Sequence, residues 1–309
     1  MSAVQPISMQ LRASDPEGFA KALGASFARY GFAIVSDHGL PPALVDAAWA
    51  RTKEFFALPE GTKRRYHVPG GKGQRGYTPF GTEAAKGAAR VDLKEFWHIG
   101  RELPPGHPAR AIMPDNLWPN EVESFRRDLY GLFESLDALG SKLLASVARY
   151  LDLPGDYFDA AIKDGNSILR LLHYPPPAPG AEGMRAAAHE DINALTLLLG
   201  AEEAGLQLLD RDGRWLDVDP PEGAVVVNIG DMLQRLTNHV LPSTSHRVVN
   251  PSAARAHLPR YSIPFFLHFA PDFLIDALPS CVSAANPKRY PPITAHDYLE
   301  ERLREIRLT

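Results

Sequence analysis

Cysteine is almost absent from this 309-residue chain. Cys281 stands alone, which excludes an internal disulfide framework and fits a reducing compartment. Long apolar runs are missing too; Leu195–Leu199 and Ala224–Val227 are far too short to span a bilayer. Residues 1–11 have neither a basic n-region nor an apolar h-region, so no secretory signal is expected. Positive charge is not in excess: 33 Lys and Arg against 37 Asp and Glu give a formal net charge of -4, which argues against a nucleic-acid surface. No G-K-[ST] or G-x-G-x-x-G follows a strand in the Gly- and Pro-rich stretch 69–81, which removes a phosphate cradle there. No H-E-x-x-H appears, which leaves a zinc hydrolase without support. These absences describe a cytoplasmic protein with no nucleic-acid or membrane partner. They leave the oligomeric state open, with a monomer as the default.

What is present is an ordinary globular composition, 45% hydrophobic and 23% charged. Asp15-Pro16-Glu17 has the form of a helix start, and Phe19, Leu23, Phe27 and Tyr30 follow at helical spacing until Gly31. Phe32–Val35 reads as a short buried strand. His38 lies in the turn before a second helix opened by Pro41-Pro42. A strand is expected over Val91–Ile99 and a long core helix over Asn120–Tyr150. After Gly165 short β segments follow in quick succession: Ile168–Tyr174, Ala187–Gly200, Leu206–Leu209, Trp215–Val218, Ala224–Ile229, Ser245–Val249 and Arg260–Ala270. Asp212-Gly213 is a hairpin signal. Many short strands with such turns argue for a closed or double-sheet antiparallel structure such as a jelly roll. Thr294 to Asp297 can cap a C-terminal helix.

The chemistry-bearing stretch is His189-Glu190-Asp191. On an extended strand residues two apart point to one side, so an imidazole and a carboxylate would converge. That is two-thirds of the 2-His-1-carboxylate face of non-haem Fe(II) oxygenases. By itself the pattern is cheap in a chain with eleven histidines. His246, entering a β-rich run, is a candidate third ligand; His239 competes but precedes Pro242 in a loop-like context. Arg260 and Ser262 share one strand face and suit a carboxylate, the guanidinium as a fork and the hydroxyl as a further hydrogen bond.

His189-x-Asp191, Leu195-Thr196-Leu197-Leu198, Gly205-Leu206-Gln207, Val227-Asn228-Ile229-Gly230-Asp231, Ser245-His246-Arg247-Val248 and Arg260-x-Ser262 together resemble the core of the isopenicillin N synthase-like family of Fe(II)/2-oxoglutarate-dependent oxygenases. Gly31-Phe32, His38-Gly39-Leu40-Pro41 and Phe55-Phe56-Ala57-Leu58-Pro59 resemble its helical N-terminal region, so the likeness covers nearly the whole chain in order. The resemblance implies an α+β fold: a double-stranded β-helix (jelly roll) core with a helical N-terminal region and a long supporting helix. It implies an N-terminal α/β region over 1–120 and, over 121–309, the long helix, the core and the C-terminal helix, all as one compact unit. It further implies that His189, Asp191 and His246 bind Fe(II), that Arg260 and Ser262 hold the distal carboxylate of 2-oxoglutarate, and that Tyr174 reaches the same pocket. The family's N-x-Y asparagine is Leu172 here. His173 alternates to the face opposite Tyr174, which gives it a structural or supporting role. The retained Asp191 argues against a halogenase.

The function implied is an Fe(II)- and 2-oxoglutarate-dependent dioxygenase that oxidises, most simply hydroxylates, a small molecule with O2 and releases succinate and CO2. Two alternatives remain open at this level: an Fe(II) oxidase of the family that uses no 2-oxoglutarate, and a ligand-binding jelly roll without catalysis. Arg75, Tyr77, Lys94, His98 and Phe266 are the candidate substrate-facing residues, and Arg75, Lys94 and His98 would select an anionic substrate. Asp231 reads as a turn former.

Overall fold

A computed structural model describes residues 4–82, 94–176, 185–199, 205–250 and 257–305. Strand β1 (Pro6–Ser8) and helix α1 (Met9–Ser14) lead into α2 (Pro16–Tyr30), whose start is fixed by the Asp15 carboxylate accepting the Gly18 N–H at 2.9 Å. Strand β2 (Phe32–Ser36), α3 (Pro42–Phe56) and α4 (Glu60–Arg64) follow. Strands β3 (Gly76–Thr78) and β4 (Glu95–Gly100) pair antiparallel ahead of α5 (Phe125–Tyr150) and the short α6 (Asp159–Ile162). The chain then turns to strand: β5 (Ile168–Tyr174), β6 (Ala186–His189), β7 (Leu195–Leu199), β8 (Leu206–Leu209), β9 (Trp215–Asp217) and β10 (Val225–Ile229). Helix α7 (Asp231–Leu236) precedes β11 (His246–Val248) and β12 (Arg260–Leu267). A small pair, β13 (Leu274–Ile275) with β14 (Ile293–Thr294), delivers the chain into α8 (Ala295–Glu305).

Two sheets face one another as a jelly roll. The larger has the order β1-β2-β10-β7-β12-β5-β4-β3 and the smaller β6-β11-β8-β9. Apart from the parallel β1–β2 pair, the ladders are antiparallel. Strand alternation gives the large sheet two different faces. Outward go Trp97, Ile99, Leu169, Leu171, Leu195, Leu197, Ile263, Phe265 and Leu267, all buried in the main core. The apolar stripe of α5 (Leu129, Leu132, Phe133, Leu136, Leu139, Leu143, Leu144 and Val147) packs on that face. Because β1 to β4 belong to the same sheet and core as β5 to β12, the N-terminal and C-terminal segments share one hydrophobic interior. Inward go the residues between: Phe32, Ile34 and Val226 meet Leu208 and Val218 of the smaller sheet's side. Among the described residues, no helix is long and apolar enough to cross a membrane.

The differences from the sequence reading have local causes. The long helix begins at Phe125 and not Asn120, because Tyr66 engages this segment, donating its O–H to Glu121 at 2.6 Å and accepting the Asn120 N–H at 3.1 Å. The described part of the strand expected from Val91 begins at Glu95; residues 91–93 lie outside the described residues. The single strand expected over Ala187–Gly200 is instead two strands, β6 and β7, in different sheets. Glu190 to Asn193 cross between them, since Asp191 and Asn193 direct polar groups into local hydrogen bonds that a continuous strand would forgo. His189 therefore ends a strand and Asp191 does not lie on one, so strand alternation is not what brings them together.

On the outer face a buried charge is met with care. The Glu95 carboxylate accepts Lys63 Nζ at 2.8 Å, the Tyr77 hydroxyl at 2.5 Å and His173 Nδ1 at 2.7 Å. Lys63, Tyr77 and Glu95 are all buried. Tyr77 thus belongs to the core, on the face turned away from the jelly-roll interior, and this corrects its placement as a substrate-facing residue. His173 has the supporting position that alternation implied. A dry pair of this kind is hard to break from one side, because the remaining charge is left desolvated. Lys63→Met should therefore cost about 3–5 kcal/mol of stability, read by urea unfolding at pH 7. A loss below about 1 kcal/mol, the range of an exposed pair, would contradict the burial described.

Candidate metal centre

Antiparallel pairing of β11 with β6 sets His246 directly opposite His189, and their rings lie 4.4 Å apart. Directly paired residues share a face, and His246 also pairs with Leu208 in the inter-sheet core, so both histidines point into the jelly roll. Phe32 meets the His246 ring edge-on at 5.5 Å and closes one side. Each imidazole is oriented by its own backbone: His189 Nδ1 lies 2.8 Å from the Ala187 carbonyl and His246 Nδ1 3.1 Å from the Thr244 carbonyl. A carbonyl only accepts, so both Nδ1 atoms carry the proton. Both Nε2 atoms then present a lone pair, the tautomer a metal ligand requires.

Asp191 completes the group from the crossing between sheets. Its Oδ1 lies 3.9 Å from His189 Nε2 and its Oδ2 3.8 Å from His246 Nε2. One ligand atom from each of the three falls within 4.8 Å of the others. These separations exceed hydrogen-bond length, so the atoms face a shared space and not one another. Oδ2 accepts the Thr196 hydroxyl at 2.5 Å and Asn228 Nδ2 at 2.8 Å, which fixes the carboxylate and leaves Oδ1 for a ligand role. Its backbone carbonyl accepts the Asp231 N–H at 2.7 Å.

The electrostatics favour a cation. Burial alone would raise the Asp191 carboxyl, but the neighbouring imidazoles and the hydrogen bonds from Thr196 and Asn228 outweigh it and hold the group below the usual carboxylate range. His189 is pushed down, first by its low-polarity surroundings and then by His246; Lys94 lies near enough to push it the same way. One carboxylate and two imidazole Nε2 atoms thus border one space, with Asp191 and His246 buried and His189 partly exposed. The donor set and its tautomers fit a divalent ion that accepts nitrogen and oxygen.

Four further residues are placed by sheet register. Arg260 pairs with Tyr174, with the guanidinium 5.5 Å from the Tyr174 ring, and Ser262 pairs with Leu172. All four are buried. The same face continues along β12 to Phe266, which pairs with Thr196, the residue holding Asp191. The large sheet thus carries Arg260, Ser262 and Tyr174 toward one end of its inner face, and the support for Asp191 toward the other.

The substrate candidates divide. His98 and Phe266 lie on this inner face and are linked by Arg170, which pairs with His98. Arg170 Nε donates to His98 Nε2 at 2.5 Å, and its guanidinium lies 4.5 Å from the Phe96 ring and 5.2 Å from the Phe266 ring. His98 Nδ1 in turn meets the Gly73 carbonyl at 2.5 Å, so the ring is a neutral relay. Arg75 is buried with its guanidinium packed against Gly100, and burial lowers it to about 10. Tyr77 is excluded by its core position. His239 lies in a turn, its Nε2 3.0 Å from the Tyr290 hydroxyl, and takes no part in the triad.

Sequence reasoning missed Arg170, Thr196 and Asn228. The first was recoverable, because counting back by twos from Tyr174 along β5 reaches it. His268 closes the Phe265–His268 segment that the sequence suggests for the entrance; its Nδ1 is buried with no hydrogen-bond partner among the described residues. Burial pushes this imidazole down to about 4 from an ordinary 6.5. The unfolded chain then binds the extra proton between those values, so this group removes stability as pH falls through that window. In the metal-free protein, NMR of the His268 ring should show a neutral imidazole at every pH above about 5. A midpoint near 6.5 would contradict its desolvation.

Comparison with known proteins covers both halves of the chain. Residues 4–121 match the model described as non-haem dioxygenase in morphine synthesis N-terminal, and residues 165–269 match that of the 2OG-Fe(II) oxygenase superfamily. A 2-oxoglutarate-Fe(II) type oxidoreductase, hxnY, of Emericella nidulans is 36% identical over 278 residues, 86% of this chain and 78% of that protein. The crystal structure of a 2OG-Fe(II) oxygenase family protein from Caulobacter crescentus is 58% identical, with a TM-score of 0.93 over 99% of this chain and 100% of its own. A full-length Neurospora crassa protein, solved in complex with alpha-KG and thymine, is 30% identical with a TM-score of 0.87 over 97% of this chain and 96% of that one.

Proposed function

The chain belongs to the 2OG-Fe(II) oxygenase superfamily, and we propose that His189, Asp191 and His246 hold its iron while Arg260, Ser262 and Tyr174 hold its 2-oxoglutarate. The protein is an Fe(II)- and 2-oxoglutarate-dependent dioxygenase that oxidises a small-molecule substrate with O2, releasing succinate and CO2. The observation that carries the residue assignment is the convergence of two Nε2 lone pairs and one anchored carboxylate within 4.8 Å.

When bound, iron with 2-oxoglutarate and O2 supplies the oxidising power: one oxygen atom goes to succinate and the other to the substrate C–H bond, a hydroxylation in our reading. The chain's part is placement. Arg260 offers a guanidinium fork, and Ser262 a hydroxyl, to the carboxylate of 2-oxoglutarate far from the metal. Tyr174 and Leu172 wall that end, and with Phe96 they keep it apolar enough to strengthen the pairing. Leu172 gives packing where the family's asparagine would give a polar contact. Thr196 and Asn228 hold the Asp191 carboxylate in one rotamer, so the ligand face is set before anything binds.

On the substrate side, Phe266, His98 and Arg170 form a wall of one aromatic ring and one oriented cation. We assign to it a small organic molecule bearing a hydrogen-bond acceptor. The thymine in the Neurospora crassa relative supports a substrate of that size. The lone, buried Cys281 supports a cytoplasmic setting, and the acidic charge balance supports a protein without a nucleic-acid partner.

His246→Ala should abolish Fe(II) binding and 2-oxoglutarate consumption together, followed by metal titration and succinate release; retained activity would refute the ligand set. Arg260→Met should raise the 2-oxoglutarate concentration for half-maximal succinate formation by at least about thirtyfold, the ratio for about 2 kcal/mol lost with one partner of a buried charge pair. An unchanged requirement would move the co-substrate elsewhere.

A further inference from the structure

The loop that delivers Asp191 is itself held from behind. The Asp231 N–H donates to the Asp191 carbonyl at 2.7 Å, Met232 N–H to the Asn193 carbonyl at 3.1 Å and Gly230 N–H to the Ala194 carbonyl at 3.0 Å. The approach is so close that a Cβ on Gly230 would stand 2.1 Å from the Asn193 carbonyl oxygen. The start of α7 is therefore laid directly on the peptide that carries the carboxylate.

That start is in turn tied to the far end of the chain. Arg302 Nη2 of α8 lies 3.1 Å from Asp231 Oδ2, with the Asp231 side chain 4% exposed and that of Arg302 20%. Arg302 Nη1 also donates to Glu305 at 2.7 Å, which steadies the guanidinium on its own helix. Arg235 of α7 lies 5.3 Å from the Tyr298 ring of α8, so packing accompanies the ion pair. Helix α8 is anchored at its other end, where the Ala295 N–H reaches the Phe273 carbonyl and Thr294 Oγ1 accepts the Asp297 N–H.

We propose that Arg302 is a positioning residue for the metal centre: through Asp231 it clamps the backbone of Asp191, so that docking of the C-terminal helix sets metal affinity. The inference rests on the reading of His189, Asp191 and His246 as ligands. Coulomb's law alone gives the opposite expectation, since removing a cation near a divalent-ion site should tighten binding. The two effects therefore differ in sign.

The test is titration of the full-length, metal-free protein with Co(II), read by the absorption of the bound ion and needing no turnover. Arg302→Met should weaken Co(II) binding about tenfold, the range for residues that orient metal ligands indirectly, and Arg302→Lys should recover most of it. Arg302→Gln, which keeps the stem and a donor, serves where the Met variant does not fold, and should also bind more weakly than wild type. Binding by the folded variants that is equal to or tighter than wild type would overturn the proposal. A wild type that binds no Co(II), or a His246→Ala variant that binds it equally well, would instead overturn the ligand assignment beneath it.

Discussion

One carboxylate organises the interior of this molecule. Asp191 is buried, and its immediate partners are a threonine hydroxyl, an asparagine amide and two imidazoles whose Nε2 atoms face it at 3.9 and 3.8 Å. A charge removed from water without a counter-ion is costly. Here the cost is met partly by hydrogen bonds, and the remainder is the affinity of the site for a cation. Asp191 also lies where the chain passes from the smaller sheet to the larger one. Its position therefore depends on both sheets and on the start of α7, which no single strand could supply.

The large sheet divides its work by face. Odd-numbered positions on β7 and β12 turn outward and bury Leu197, Ile263 and Phe265 in the core that α5 covers. Even-numbered positions turn inward and bring Thr196, Arg260, Ser262 and Phe266 into one field. Because the outer face is pinned by a long helix and by the Lys63–Glu95 pair, register cannot slip, and the inner groups keep their spacing.

Much of this was legible in the residues. The apolar stripes of α2, α3 and α5 declare themselves by period, and the short strands after Gly165 by their turn residues. His246, Arg260 and Ser262 could be singled out by their context in β-rich runs. What escaped depended on contacts distant in sequence. Residues 187–200 read as one strand because Ala194 to Leu199 are apolar but for Thr196, whereas the break at 190–193 is decided by hydrogen bonds within the crossing and from Asp231. Helix α7 escaped because six residues carry too little periodicity. Tyr77 was misread because aromatic residues in Gly-rich stretches look equally suited to a pocket or a core; only its bond to Glu95 settles the matter.

The most direct test of the central claim is anomalous diffraction at the iron edge from crystals grown without oxygen in Fe(II) and 2-oxoglutarate. The account predicts one strong peak within bonding distance of His189 Nε2, Asp191 Oδ1 and His246 Nε2, with the distal carboxylate of 2-oxoglutarate on Arg260. A peak lying elsewhere, or a 2-oxoglutarate turned away from Arg260, would contradict it.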